Sequence, residues 1–293
     1  MTDGLHASGS SAPDGLHASG SSAPDGLHAS GSSANSVRPG ALVTGPTSGL
    51  GGGFARKYAS LGYDVVLVAR DEQRLSALAD ELTCRYGVHA EALPADLADP
   101  ADRAKVAERV AAGVSVLVNN AGFATAGEFW TAAPELLRAQ LDVNVTAVME
   151  LTRAALPSMV EAGAGTVINV ASVAGLVSGR GSTYSASKAW VVSFTEGLAN
   201  GLLGTGVGMH VLCPGFIHTE FHERAGIEMG TIPEFMWLQV DDVVNACLQD
   251  IAAGKVLSVP GLQYKAITSV TRVIPRGLVR KFNNVVGRGR GRT

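Results

Sequence analysis

Residues 41–51 read ALVTGPTSGLG. A short apolar run leads into a glycine-rich turn, and the turn opens a helical stretch. Glycines at 45, 49 and 51 let backbone amides approach a pyrophosphate at the positive end of that helix. Such a turn can also do no more than reverse the chain. Its place after the first strand of a βαβ unit is what gives it weight.

Outward from this turn, short apolar runs alternate with amphipathic stretches as far as about Pro260. The runs are Ala41–Thr44, Asp64–Ala69, His89–Leu93, Ser115–Asn119, Thr166–Ala171, Gly208–Cys213 and Val256–Val259. Between them lie Asp71–Tyr86, Asp99–Ala112, Asp142–Glu161, Tyr184–Leu203 and Asp241–Ala252, with Asp71 placed to cap its helix. The strand candidates are continuously apolar rather than alternating, as strands buried on both faces of a parallel sheet are. The pattern predicts an α/β fold: about seven parallel strands, doubly wound, with helices on both faces.

Of the 293 residues, 46% are hydrophobic and 17% charged, which suits one sizeable core and excludes a disordered chain. No apolar run reaches the ~18–20 residues of a membrane span. Lys and Arg number 23 against 26 Asp and Glu, a net charge of −3 that argues against a dedicated nucleic-acid binder. Three scattered cysteines, Cys84, Cys213 and Cys247, suit neither a disulfide framework nor a metal cluster and point to a reducing, cytoplasmic setting. Cys213 reads as a core thiol, since no His or Asp pattern would activate it. Residues 1–39 carry the 11-residue unit DGLHASGSSAP in tandem, the third copy truncated. With one leucine per unit this segment reads as a disordered, low-complexity leader, rather than a metal-capture module built on His6, His17 and His28. It has no basic start and no apolar stretch of the secretory kind.

A second motif, Tyr184-Ser-Ala-Ser-Lys188, follows Ser172 by twelve residues. Tyrosine and lysine at i and i+4 project from one helix face. An ordinary tyrosine, with a pKa near 10, is a poor acid or base at neutral pH, and an ammonium beside it favours the phenolate. Ser172 stands just past Val167–Val170, where a parallel strand delivers its last residues to the ligand crevice. Its hydroxyl could hold a reacting oxygen.

Together with Asn119-Asn120-Ala121-Gly122, Asn144 and Pro214-Gly215 in the same order, these motifs resemble the short-chain dehydrogenase/reductase family, in its form with TGxxxGxG and YxxxK signatures. The resemblance covers roughly residues 40–261 and implies a single Rossmann-type catalytic domain there. It implies that Tyr184 is the general acid/base and that Lys188 binds the nicotinamide ribose while lowering the Tyr184 pKa. Ser172 would orient and polarise the substrate carbonyl, and Asn144 would hold a water that extends the proton relay. Gly45, Thr47, Ser48, Gly49, Leu50 and Gly51 would cradle the cofactor phosphates. Asn120, Ala121 and Gly122 would pass beside the cofactor, and Asp96 would lie at its adenine edge. Pro214, Gly215, Ile217 and Thr219 would also contact it, Thr219 at the nicotinamide carboxamide.

The end of the second strand bears on cofactor choice. NAD-using members carry a carboxylate there for the ribose hydroxyls, whereas this chain has Ala69 and Arg70. An arginine fork suits a 2′-phosphate, at about 1.5–3 kcal/mol for a charge-assisted contact. NADPH is therefore the expected cofactor, with NAD second. The expected reaction interconverts a carbonyl and a secondary alcohol on a hydrophobic substrate. Competing readings are an NAD-linked alcohol, steroid or hydroxyacyl dehydrogenase, and a non-catalytic dinucleotide-binding sensor.

Phe216, Ile217, Phe221, Met229, Ile232, Phe235, Met236 and Trp237 make greasy the segment that covers substrate in the family, and Phe123 and Trp130 are candidates for the same cleft. His218 and His222 lack a third ligand in the pattern and read as rim histidines, so no metal is expected. Residues 262–293 hold eight Lys or Arg and no Asp or Glu. Leu262, Ala266, Val270 and Val273, then Leu278, Phe282 and Val285, recur at helical spacing on either side of Pro275. This basic tail reads as a helix against the domain or a neighbouring subunit, with weak peripheral contact to an anionic membrane as the sharper alternative. Cutting after Gly261 is expected to spare nucleotide binding, since every expected contact lies upstream. Family habit implies a homodimer or homotetramer paired through Asp142–Glu161 and Tyr184–Leu203.

Overall fold

In the computed structural model, which describes residues 38–125, 128–177, 182–219 and 233–273, the chain begins with β1 (Gly40–Thr44), α1 (Gly49–Ser60), β2 (Asp64–Ala69) and α2 (Glu72–Tyr86). It continues through β3 (Ala90–Pro94), α3 (Pro100–Ala111), β4 (Val116–Asn119), α4 (Pro134–Leu141) and α5 (Ala147–Ala162). Then come β5 (Gly165–Val170), α6 (Val173–Leu176), α7 (Ser182–Gly201), β6 (Val207–Leu212) and β7 (Phe216–Ile217). The last described elements are β8 (Trp237–Leu238), α8 (Val240–Ala252), β9 (Leu257–Ser258) and α9 (Leu262–Val273).

Seven strands form one parallel sheet in the order β3-β2-β1-β4-β5-β6-β9, while β7 and β8 pair separately. The expected doubly wound sheet is therefore present, and its strands begin and end close to the expected residues. Alternation along each strand explains the continuous apolar runs. Ala41 and Val43 enter one cluster with Phe54 of α1, Leu75 of α2 and Val243 of α8. Leu42, between them, enters the other with Val106 of α3 and Leu151 of α5. Leu42 sits in register with Val66 on one side and Leu117 on the other. Fully burying a leucine of this kind stabilises the fold by about 1.5–3 kcal/mol. The chain order reverses between β1 and β4, so the crevice of this sheet opens at their carboxyl ends.

Local signals set the helix starts. The Asp71 carboxylate accepts from Arg74 N at 2.9 Å, and the Asp99 carboxylate accepts from Ala101 N and Asp102 N ahead of Pro100. One helix differs from expectation. The stretch expected as Asp142–Glu161 is preceded by α4 and passes through a π-helical turn, Asp142–Thr146, before α5 begins. The wider turn carries the buried Asn144.

The carboxyl-terminal helix also differs. Tyr264 and Thr268 are 2% and 7% exposed, whereas Leu262 and Val270 are 82% and 54% exposed. The apolar stripe legible in the sequence therefore points away from the domain, and the Tyr264–Thr268 face docks. A cut after Gly261 would remove Tyr264, a buried residue, from the core. The tandem repeats and Leu278, Phe282 and Val285 lie outside the described residues.

Candidate active site

Gly45 leaves β1 at φ +66° and donates its N–H to Val68 O at 2.8 Å, which sets the turn beside the end of β2. A Cβ on Gly51 would run into Gly45 O and the Asn120 amide, so only glycine lets the turn fold back on itself here. Ser48 caps α1 with an extended backbone and no side-chain cap bond, and the first turn of α1 carries no acidic residue. Its positive end is thus left for an anion. Thr47, Ser48 and Gly49 are half-buried, while Leu50 and Ile217 send their side chains into the core. Those two can face a ligand only with backbone.

The end of β4 is stapled to this turn. Asn120 Nδ2 donates to Thr44 O at 2.9 Å and to Gly45 O at 3.1 Å. Thr44 Oγ1 accepts from Asn120 N and Ala121 N, at 3.0 and 2.9 Å. The Thr44 hydroxyl was not singled out from sequence, although a threonine ending a first strand before such a turn is a usable signal. Ala95 N donates to Ala69 O, which brings Asp96 and the exposed Arg70 to neighbouring strand ends. Asp96 Oδ1 accepts from Ala98 N at 2.9 Å, and Asp96 N donates to Asp102 Oδ2 at 2.7 Å. Thr219 rests on the turn, since a Cβ on Gly49 would lie 3.0 Å from its methyl carbon.

The second constellation sits at the ends of β4 and β5. Lys188 is 4% exposed, and its Nζ donates to Val170 O at 2.9 Å. The ammonium stands 5.9 Å from the Tyr184 ring centroid. Burial pulls the Lys188 pKa down to about 8, with Cys213 acting in the opposite sense. Asn144 is fully buried: its Oδ1 accepts from Phe123 N at 3.1 Å, and its Nδ2 donates to Phe123 O and to Ser187 Oγ. Ser187 Oγ in turn donates to Tyr184 O at 2.7 Å. Ser187 was missed from sequence, where the position before Lys188 looks like an ordinary small residue.

Gly122 separates two of these groups. A Cβ there would lie 2.9 Å from Asn144 Oδ1 and 3.1 Å from Lys188 Nζ. Ser172 caps α6, its Oγ accepting from Ala174 N at 3.1 Å, and the hydroxyl retains its own proton to donate. A Cβ on Gly175 of α6 would strike the α7 backbone at Lys188 and Ala189, so Ser172 and Lys188 ride on two tightly packed helices. Pro214 O accepts from Val173 N at 3.0 Å and ties the end of β6 to α6. Cys213 is fully buried in an apolar cluster with Val191 and Val211.

Of the apolar candidates for the substrate side, Phe216 and Trp237 lie 5.8 Å apart across β7 and β8, and Phe235 and Trp130 are 70% and 77% exposed. Phe221, His222, Met229 and Ile232 lie outside the described residues. His218 stacks on Trp237 at 4.6 Å, with Glu234 at 3.3 Å from its Nε2. Among the described residues, no three His, Cys, Asp or Glu gather as a metal site, and no helix is long and apolar enough to cross a membrane.

A family profile described as short chain dehydrogenase matches residues 40–229. Sulfoacetaldehyde reductase 2 of Chromohalobacter salexigens is 39% identical over 189 residues, 61% of this chain and 73% of the relative. A short-chain dehydrogenase from Sphingobium yanoikuyae, solved in complex with NADPH, superposes with a TM-score of 0.74 at 36% identity, over 83% of this chain and 95% of the other. A short chain dehydrogenase/reductase from Burkholderia phymatum, solved in complex with NAD, gives 0.70 at 28% identity, over 79% and 92%.

Proposed function

The chain belongs to the short-chain dehydrogenase/reductase family, and from that premise we propose that it is an NADPH-dependent carbonyl reductase, reversible to the alcohol dehydrogenase, acting on a hydrophobic substrate. The observation that carries the reading is the convergence of Lys188, Asn144 and the Tyr184 turn around Gly122, beside a glycine turn that a single Cβ would fill. That turn has the shape and polarity a dinucleotide pyrophosphate needs. Gly45, Thr47, Ser48 and the backbones of Gly49, Leu50 and Gly51 hold the phosphates. Asp96 lies toward the adenine, and Asn120, Ala121, Gly122, Pro214, Gly215, Ile217 and Thr219 flank the rest. When bound, the nicotinamide supplies or accepts the hydride. Ser172 donates to the substrate oxygen and orients it. Tyr184 gives that oxygen its proton in reduction and takes it back in oxidation. Lys188 holds the ribose and favours the charged phenol, and Asn144 holds the water that leads the proton outward.

Arg70 favours NADPH over NADH, and the relatives solved with NADPH and with NAD support both nucleotides as ligands of this architecture. Fluorescence titration with the two nucleotides tests it. Arg70→Asp is expected to invert the preference, because the new carboxylate repels a 2′-phosphate and accepts ribose hydroxyls. An unchanged NADPH/NADH ratio would remove Arg70 from that role.

The three free cysteines fit a cytoplasmic protein, and Met149 and Val160 stand exposed on α5, which together with α7 is where a homodimer or homotetramer would pair. The outward stripe of α9, with Lys265 beside it and seven further Lys or Arg in the sequence beyond, supports weak attachment to anionic membranes. Each basic group near such a surface contributes about 1 kcal/mol, screened beyond ~8–10 Å. Co-sedimentation with phosphatidylserine-containing vesicles should be strong at low salt, fall steeply with added salt and vanish on phosphatidylcholine alone. A chain left in the supernatant with anionic vesicles at low salt would leave α9 as a helix for packing only.

A further inference from the structure

The ribbon of β7 and β8 has only two residue pairs, Phe216 with Trp237 and Ile217 with Leu238. Two pairs cannot hold a strand ribbon together in water. A third element closes it. Tyr264, on α9, donates its hydroxyl proton to Met236 O at 2.6 Å and accepts from Phe216 N at 2.9 Å. One phenol oxygen thus bridges both arms at the same end of the ribbon. Its ring lies where a Cβ on residue 215 would be, so Gly215 leaves the space that the ring fills. Thr268 Oγ1 donates to Tyr264 O one turn on, and burial pushes the phenol above its ordinary pKa of 10, keeping it a donor. From Phe216 the chain runs directly to Thr219, which rests on Gly49 of the glycine turn.

We infer that Tyr264 is a positioning residue for the nucleotide: its hydroxyl fixes the arm Phe216–Thr219 and so presses Thr219 onto the Gly49 turn. The inference rests on the nucleotide-binding reading above. It gives α9 a part in the site from outside the catalytic motifs, and ties the carboxyl-terminal helix to cofactor affinity.

Tyr264→Phe keeps the ring over Gly215 and removes only the bridge, in the full-length chain. NADPH should bind about tenfold more weakly, the scale of one buried hydrogen-bond bridge left unreplaced. The KM for NADPH should rise in step while kcat at saturation stays within about threefold, since the reacting groups are untouched. A second readout needs no nucleotide. In a Trp130→Phe/Trp190→Phe background, Trp237 reports the ribbon, and Tyr264→Phe should increase its quenching by acrylamide. Looser Trp237 together with weakened NADPH binding supports the inference. Unchanged NADPH affinity overturns it, whether or not the melting temperature or the quenching moves, because Tyr264 then only packs. A wild-type chain that binds neither NADPH nor NADH would instead overturn the nucleotide reading on which the inference stands.

Discussion

Tyr184→Phe is expected to bind NADPH like the wild-type chain and to lose turnover by about 10²–10⁴-fold, the usual contribution of a positioned acid/base. The substitution removes one hydroxyl and keeps the ring that lies beside Lys188. The main-chain carbonyl of residue 184, which accepts from Ser187, is also unaffected, so the buried link to Asn144 survives. Binding and chemistry should therefore separate cleanly. Single-turnover reduction of the best ketone, alongside nucleotide titration, checks both. A variant within tenfold of the wild-type rate would show that another group moves the proton.

Lys188→Ala should fail on both readouts at once. The same ammonium is proposed to hold the ribose and to favour the charged phenol, and a preorganised donor in a water-poor site is worth about 10²–10³-fold in rate. Its loss also strands Val170 O, which now accepts from Nζ at 2.9 Å. The pH dependence carries a sign that identifies the group. Burial lowers the Lys188 pKa from 10.5 to about 8, so the folded chain releases this proton first. Nucleotide affinity should fall as pH rises through about 8, and Lys188→Ala should lack that limb. Folding stability responds the other way. Across the window from about 8 to 10.5 the unfolded chain holds the extra proton, so this group's contribution rises with pH. Opposite slopes for binding and for stability would locate the titration at Lys188. A loss confined to rate or to binding alone would split the two tasks between different residues.

Much of the frame was legible in the chain because parallel strands buried on both faces are predominantly apolar. Leu42 and Val43 serve opposite sides of the sheet, and each is fully buried there among apolar side chains. The caps at Asp71 and Asp99 were equally local. What escaped was decided at long range. Asn144 was recognised as a residue, but the π-helical turn that aims its amide at Phe123 depends on a loop twenty-one positions away. Ser187 and the Thr44 hydroxyl matter through partners that only the packed sheet and helices supply. The carboxyl-terminal helix shows the limit most plainly. Periodicity identified a stripe at Leu262, Ala266 and Val270, and periodicity cannot tell which face is covered. The covered face is chosen by Tyr264, whose ring needs the missing side chain of Gly215 and whose hydroxyl needs two distant backbone groups.

The activity proposed for this chain is hydride transfer between a nicotinamide and a carbonyl carbon, with Tyr184 supplying the proton. The most direct measurement follows nicotinamide absorbance as the purified full-length chain meets NADPH and a panel of hydrophobic ketones, acyl thioesters and sterols, with Tyr184→Phe run in parallel. The expected result is NADPH consumption matched mole for mole by alcohol product with at least one carbonyl, and none above background in the variant. Consumption that persists in Tyr184→Phe would show that another group supplies the proton, and a wild-type chain that binds NADPH yet reduces no carbonyl in the panel would show that it is not a reductase of this kind.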